Sequence, residues 1–397
     1  STNSSGFYYC QKVLVNSTGV LFVATGSGLY RSVDGGATFN AVLNAGLGIS
    51  GATSNFCYDV ELAANGDIYA SLAGSVHKST DAGVTFGAAQ TLPISVRRTV
   101  LACAPSDPNC VYALCEYGNT VAGILRTTDG GASWVVRSAP DDADPGIPDT
   151  DFSRGQAWYD LAIAVDPGNR DILFTGGIDL FKSTDGAGTW SQFTHWNGQY
   201  GYQFIHSDQH YILYKPGSSS VAYFCNDGGV FQTSAATTPV PAVADKSANF
   251  RTVQFYSCAI HPTALTPYFL AGAQDNGSYK FTSQTLQNAI SVTGGDGGFC
   301  HIDQDEPQYQ FTSYVYNSKY FRSTNGGSTW TAVFGDNSGR FINPTDYDDV
   351  NNRMYMGSSS DAYEIWENPQ SGSSFTYVNV PAFGGGQVSA VKVSPNT

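Results

Sequence analysis

Charge is scarce in this chain. Only 13% of its 397 residues are Asp, Glu, Lys or Arg, and 33 acidic residues against 19 basic ones give a formal net charge of −14. A face that binds nucleic acid or an anionic membrane needs clustered Lys and Arg to neutralise phosphates. The 19 basic residues are scattered, so both are poor partners, and no nucleic-acid partner and no membrane insertion are expected. No run of about 18 apolar residues occurs, so no membrane-spanning helix is predicted. No secretory leader opens at Ser1, and the chain reads as a mature or trimmed product. The eight cysteines, at 10, 57, 103, 110, 115, 225, 258 and 300, include no Cys-x-x-Cys pair, which argues against a zinc knuckle. Their even number allows disulfides, and the stretch "CAPSDPNCVYALC" crowds Cys103, Cys110 and Cys115; buried free thiols fit equally well. No D-x-[DN]-x-[DN]-G loop is present, although Asp-rich turns offer oxygen ligands suited to calcium or another divalent metal. No other cofactor is signalled.

Other residues are plentiful. Hydrophobic residues make up 41% of the chain, which argues for a packed core despite the low charge. The 44 glycines, 24 tyrosines and 23 phenylalanines are distributed as Gly-rich turns between aromatic and β-branched runs, the pattern of an all-β protein. High Ser, Thr, Asn and Tyr with little Lys points to an extracellular or cell-surface location.

One nonapeptide recurs: RSVDGGATF (Arg31–Phe39), KSTDAGVTF (Lys78–Phe86), RTTDGGASW (Arg126–Trp134), KSTDGAGTW (Lys182–Trp190) and RSTNGGSTW (Arg322–Trp330). Its Ser or Thr falls at 32, 79, 127, 183 and 323, with gaps of 47, 48, 56 and 140. The last gap holds hidden units, whose aromatic strands survive in GVFQTS (Gly229–Ser234) and GSYKFTS (Gly277–Ser283); a weak final unit follows at Ala362–Phe375. Each unit reads as four short strands, the signature of a propeller blade. The expectation is an all-β fold: a single β-propeller over 1–397, with four-stranded blades and seven or eight blades in the chain. The units run approximately 6–50, 51–96, 97–150, 151–200, 201–255, 256–298, 299–341 and 342–387. The tail VSAVKVSPNT reads as the first strand of a ninth unit, or as a strand that closes the ring, and the chain as a segment of a longer polypeptide.

The consensus S-x-D-x-G-x-[ST]-[WF] resembles the Asp-box, or BNR repeat, of sialidase-like, xyloglucanase-like and sortilin-like propellers. Asp34, Asp81, Asp129, Asp185 and Asn325 occupy its acidic position. These are structural positions: an Asp in a tight turn accepts backbone N–H bonds, and the closing aromatic packs between sheets. Function is then expected where units depart from the repeat. In HSDQH, strand alternation would place His206, Asp208 and His210 on one face, a possible metal set or acid/base group lining the axial channel. The alternative is a polar channel wall. NDGG (Asn226–Gly229), AQDNGS (Ala273–Ser278) and GGDGG (Gly294–Gly298) each set an Asp among turn formers, while GQAWYD follows Arg154 and carries Trp158, Tyr159 and Asp160. Asp160, Asp208 and Asp296 are the candidate catalytic residues, sharing one channel mouth. Trp158, Tyr159, His206, His210, Asp227, Gln274 and Asp275 are the candidate ligand-binding residues, with Trp196 and Tyr200 as further platforms for sugars.

These departures, in this order, resemble large secreted Asp-box proteins of Bacteroidetes exported by the type IX route. That resemblance covers nearly the whole chain and implies further domains in a larger surface protein. Two function classes follow. One is a secreted recognition scaffold or adhesin that binds glycan or an extracellular protein. The other is a glycoside hydrolase using paired aspartates. The Arg-Ile-Pro triplet of sialidases is missing, and no motif places the paired aspartates of xyloglucanases.

Overall fold

The computed structural model describes residues 5–148, 150–248, 250, 253–283 and 289–394. These form two compact units, Ser1–Ala248 and Asn249–Thr397, each considered by itself.

The first unit holds five antiparallel blades. Blade 1 comprises Lys12–Val15, Leu21–Thr25, Gly28–Ser32 and Asn40–Leu43; blade 2 comprises Cys57–Leu62, Ile68–Leu72 and Ser75–Ser79. Blade 3 is Arg98–Cys103, Val111–Tyr117, Thr120–Thr127 and Val135–Arg137, and blade 4 is Ala162–Val165, Leu173–Gly176, Leu180–Ser183 and Ser191–Gln192. Blade 5 is Gln209–Tyr214, Ala222–Asn226, Gly229–Thr233 and Ala244–Asp245. The second unit holds blade 6 (Ser257–Ile260, Phe269–Ala273, Gly277–Phe281, Ala289–Thr293) and blade 7 (Cys300–Ile302, Gln310–Ser313, Lys319–Ser323, Thr331–Phe334). Blade 8 completes it with Thr345–Asp348, Arg353–Gly357, Ala362–Glu367 and Ser374–Asn379. The chain is therefore all-β, built of four-stranded propeller blades. Blade 2 departs from the expected four strands. Its last segment follows the edge with only isolated ladder bonds, Gly87 N to Lys78 O at 2.9 Å and Gln90 N to Val76 O at 2.8 Å.

Within each unit, neighbouring blades bury their faces against one another. Phe22, Leu29 and Leu43 of blade 1 share a core with Val60, Ile68 and Leu72 of blade 2, and Tyr112, Leu114 and Ile124 of blade 3 do the same with Ile163, Leu173 and Phe181 of blade 4. In the second unit Phe311 and Tyr320 of blade 7 pack with Met354, Met356 and Trp366 of blade 8. A lone blade has no such cover, so stacking is a condition of its stability.

The repeated nonapeptide joins the third strand of a blade to its edge. In blade 1, Ser32 Oγ donates to Asp34 Oδ1 at 2.7 Å and accepts from Gly36 N at 2.9 Å. The Asp34 carboxylate also accepts the Thr38 amide at 2.9 Å and its hydroxyl at 2.6 Å. The same bonds recur around Asp81, Asp129 and Asp185. Thr85 hydroxyl and amide bonds hold Asp81 down at about 2, and Ser133 does the same for Asp129. In the last copy Asn325 keeps the turn, its Oδ1 accepting Thr329 N at 2.9 Å while its amide donates to Thr329 Oγ1 at 2.8 Å. Glycine in the turn has a packing reason. A Cβ on Gly83 would lie 2.3 Å from the Phe22 ring of blade 1. Ala187 replaces a glycine at φ 64°, with its methyl fully buried.

All eight cysteines are free thiols. The ladder explains this for the crowded stretch: Cys103 pairs with Val111 and Cys115 with Thr99, so no two cysteines oppose each other. The tail forms no ninth strand over residues 388–394. It is fixed by side-chain acceptance instead, Val393 N donating to Asp346 Oδ2 at 2.6 Å.

Candidate functional site

A four-stranded meander reverses direction at every turn, so its first and third turns share one end and its second turn shares the other with the link to the next blade. The Asp-boxes are third turns. The sequence departures all take the opposite end of their blades. Asn226–Gly229 and Ala273–Gly277 form second turns, whereas Gly155–Asp160, His206–Asp208 and Gly294–Gly298 are links between blades.

In the first unit the link from blade 3 to blade 4 builds most of the site. Asp151 fixes it, accepting Ser153 Oγ at 2.6 Å and Gly155 N at 2.8 Å. Arg154 and Gly155 both take positive φ, 53° and 82°, which turns the chain sharply before Gln156–Asp160. Asp160 is fully buried, and neither carboxyl oxygen has a hydrogen-bond partner among the described residues. Burial, then the neighbouring Asp208 charge, pushes it up to about 9, so it holds its proton at neutral pH. Asp208 is 9% exposed, and the Gln156 amide donates to its Oδ1 at 3.5 Å. Beside them Tyr159 OH donates to Asp227 at 2.9 Å, and His210 Nε2 bonds the other Asp227 oxygen at 2.7 Å. The Tyr159 and His210 rings meet edge to face at 4.6 Å.

A second nest lies on the same link. The Arg154 guanidinium bridges Asp142 at 2.9 Å, Asp144 at 2.7 Å and Asp179 at 3.3 Å. Asp179, from the second turn of blade 4, is fully buried with Oδ1 unpartnered. Burial and then the Asp142 charge raise it to about 8, against the pull of Arg154. Burial also works against the Asp144 carboxylate, but the Trp196 indole N–H, donated at 3.0 Å, and Arg154 outweigh it and hold Asp144 below its usual range. His195 Nε2 lies 3.3 Å from Asp144 Oδ1, and its ring packs between Trp196 and Tyr200. Trp158, Trp196 and Tyr200 remain 54%, 41% and 54% exposed.

Several sequence expectations need correction. The strand of HSDQH begins only at Gln209, and Asp208 sits at φ 62°. Strand alternation therefore does not reach His206 and Asp208, and His206, Asp208 and His210 do not gather as one ligand set among the described residues. His206 instead packs on Gly228, where a Cβ would fall 2.4 Å from its ring. That close approach is one reason for the glycine in NDGG. Asp160 likewise precedes its strand, which begins at Ala162. Asp160 and Asp208 are neighbours. Asp296 belongs to the second unit, where its carboxylate accepts Asp275 N at 3.0 Å, while Gln274 accepts Tyr256 OH at 2.9 Å. Sequence reasoning missed Asp142, Asp144, Asp179, His195 and Arg98. The available signals were the acidic run Asp141–Asp144 and the turn Gly176–Asp179, which carries an acid where blades 1 and 2 have only small residues at their second turns.

No protein-family model matches the chain. It is 26% identical to a xyloglucanase of Acetivibrio thermocellus over 278 residues, which is 59% of this chain and 32% of that protein. The chain thus spans about a third of the length of the curated relatives it matches. Among solved structures it is similar to the GH74 enzyme of Niastella koreensis, with 19% identity, a TM-score of 0.43, and coverage of 93% of this chain and 63% of that one. It is also similar to PorZ, a surface component of the type IX secretion system of Porphyromonas gingivalis, with 13% identity, a TM-score of 0.46, and coverage of 96% and 48%. Five copies of one nonapeptide, each tying its turn with a Ser or Thr hydroxyl donated to the Asp or Asn two residues on, resemble the Asp-box, and the sheets they join are four-stranded propeller blades in every case but blade 2.

Proposed function

We propose that this chain recognises a polysaccharide on the loop end of its first unit, outside the cell, as a module of a larger surface protein. One observation carries the reading. Trp196 and Tyr159 have their polar edges tied to carboxylates, Asp144 and Asp227, while Trp158, Trp196 and Tyr200 keep ring surface open to solvent. An aromatic face held still by its polar edge loses little entropy when a sugar ring stacks on it. The carboxylates alongside offer acceptors for hydroxyls. Similarity to a xyloglucanase supports xyloglucan as the first glycan to try.

Affinity electrophoresis through xyloglucan and other soluble polysaccharides tests this. Retardation is expected, with Trp158→Ala and Trp196→Ala each weakening it about 2- to 10-fold, the size of one aromatic contact. Folded protein that no polysaccharide retards would sink the reading.

Hydrolysis is the second reading. It is favoured by Asp160, which keeps its proton at neutral pH beside Asp208, the split of an acid from a base. Release of reducing ends by the wild type, abolished in Asp208→Asn, would establish it. Release unchanged in that variant would move the chemistry elsewhere.

A further inference from the structure

The first strands of the five blades of the first unit line an open cavity of about 450 Å³. That volume lies in the range of roughly 300–1,000 Å³ typical of small-molecule sites. Its charged lining reverses the balance of the chain. Lys12, Arg98 and Lys215 face Asp59 and Glu61, three cations to two carboxylates, in a chain with 19 basic and 33 acidic residues.

The two carboxylates are already engaged. Lys12 Nζ bridges Asp59 at 2.7 Å and also Glu61, and Asp59 accepts the Leu101 amide at 2.7 Å. Arg98 is different. It forms no ion pair among the described residues, and the side-chain bond it makes is from Nη1 to Ala157 O at 3.1 Å. Most of the fork of this half-buried guanidinium therefore has no protein acceptor among the described residues and is available to a ligand in the cavity. The acids around it are engaged elsewhere: Asp59 pairs with Lys12, Glu116 pairs with Arg97, and burial keeps Asp160 protonated at neutral pH. Gln11, Tyr58 and Tyr211 add hydrogen-bonding groups to the same walls.

We infer that this cavity binds a small carboxylate, with Arg98 gripping the carboxylate in its fork and Lys215 adding charge at the rim. A planar guanidinium matches a carboxylate two bonds at a time. Hydroxyl-bearing acids fit the remaining polar lining, so a uronic acid is the ligand class. The inference stands apart from the aromatic platform and does not depend on it.

The probe is sodium D-glucuronate, titrated by calorimetry into the whole chain at fixed ionic strength, with D-glucose and sodium acetate as the other arms. Glucuronate is expected to bind, acetate more weakly, and glucose at least tenfold more weakly. Arg98→Gln should lower glucuronate affinity at least tenfold, Lys215→Gln about two- to threefold, and Trp196→Ala not at all. Acetate binding as tightly as glucuronate would keep the carboxylate site and remove the sugar. Glucose equal to glucuronate, no binding by folded wild type, or an unchanged Arg98→Gln would overturn the site. If Arg98→Gln fails to fold, the wild-type ligand series and Lys215→Gln decide the question. Loss of xyloglucan retardation with glucuronate binding intact would separate failure of the platform from failure of this cavity.

Discussion

Asp179 and Asp185 stand at opposite ends of one strand, Leu180–Ser183 of blade 4, and their carboxyl groups behave oppositely. Asp185 closes the Asp-box turn. Burial is the largest single influence and opposes its charge, but donors from Thr189, Ser183 and Gly188 together outweigh it and hold it at about 2. Asp179 is fully buried with one oxygen unpartnered, and sits at about 8. The same residue type thus serves as a satisfied fastener at one end and as a strained acid at the other. The fastener end is built alike in blade after blade because every donor lies within four residues of the Asp. The other end differs from blade to blade because its partners come from separate links. Buried groups left short of partners persist where something besides stability keeps them, which is the reason for proposing this end as the functional one.

The largest effect should come from removing the cation of the strained nest. Arg154→Ala leaves Asp142, Asp144 and Asp179 facing each other, and a loss of about 3–5 kcal/mol is expected by urea denaturation at neutral pH. A loss under about 1 kcal/mol would mean that the nest is solvated and the contrast with the Asp-box is false.

The pH dependence sharpens the comparison next. The folded value of Asp179 lies above its unfolded one, 3.8, so its contribution is full below that pH and is lost as pH climbs towards about 8. Wild type should therefore lose melting temperature relative to Asp179→Asn over this window and run parallel above it. Asp185 is depressed, so its contribution is present above 3.8 and lost as pH falls through about 2. Wild type should gain on Asp185→Asn as pH rises from 2 to 4, then run parallel. Slopes of the same sign in the two pairs would break the comparison.

A smaller change probes the fastener alone. Ser183 is buried, donates to Asp185 Oδ1 at 2.9 Å and accepts Ala187 N at 2.9 Å. Ser183→Ala strands that amide and should cost about 1–3 kcal/mol, read from the denaturation midpoint. The smallest effect belongs to Asn325→Asp. The geometry already suits a carboxylate, with Thr329 free to turn its hydroxyl into a donor, so a change within about 0.5 kcal/mol is expected at neutral pH.

The sequence by itself determined what is local. The Ser, Asp, Gly and Thr of the nonapeptide contact one another through bonds spanning at most four residues, so their spacing can be read directly. The four-strand unit followed from the same repeat in every blade but the second. Only the tertiary structure decided which departures meet. Arg154 reaches Asp142 and Asp179 across twelve and twenty-five residues, and Tyr159 reaches Asp227 across sixty-eight. HSDQH shows the limit from the other side. Its alternation predicted one face, but the positive φ of Asp208 breaks the strand before alternation can act. The proton on Asp160 was equally beyond the sequence, because burial set by neighbouring elements, not residue identity, decides whether a carboxyl group can afford its charge.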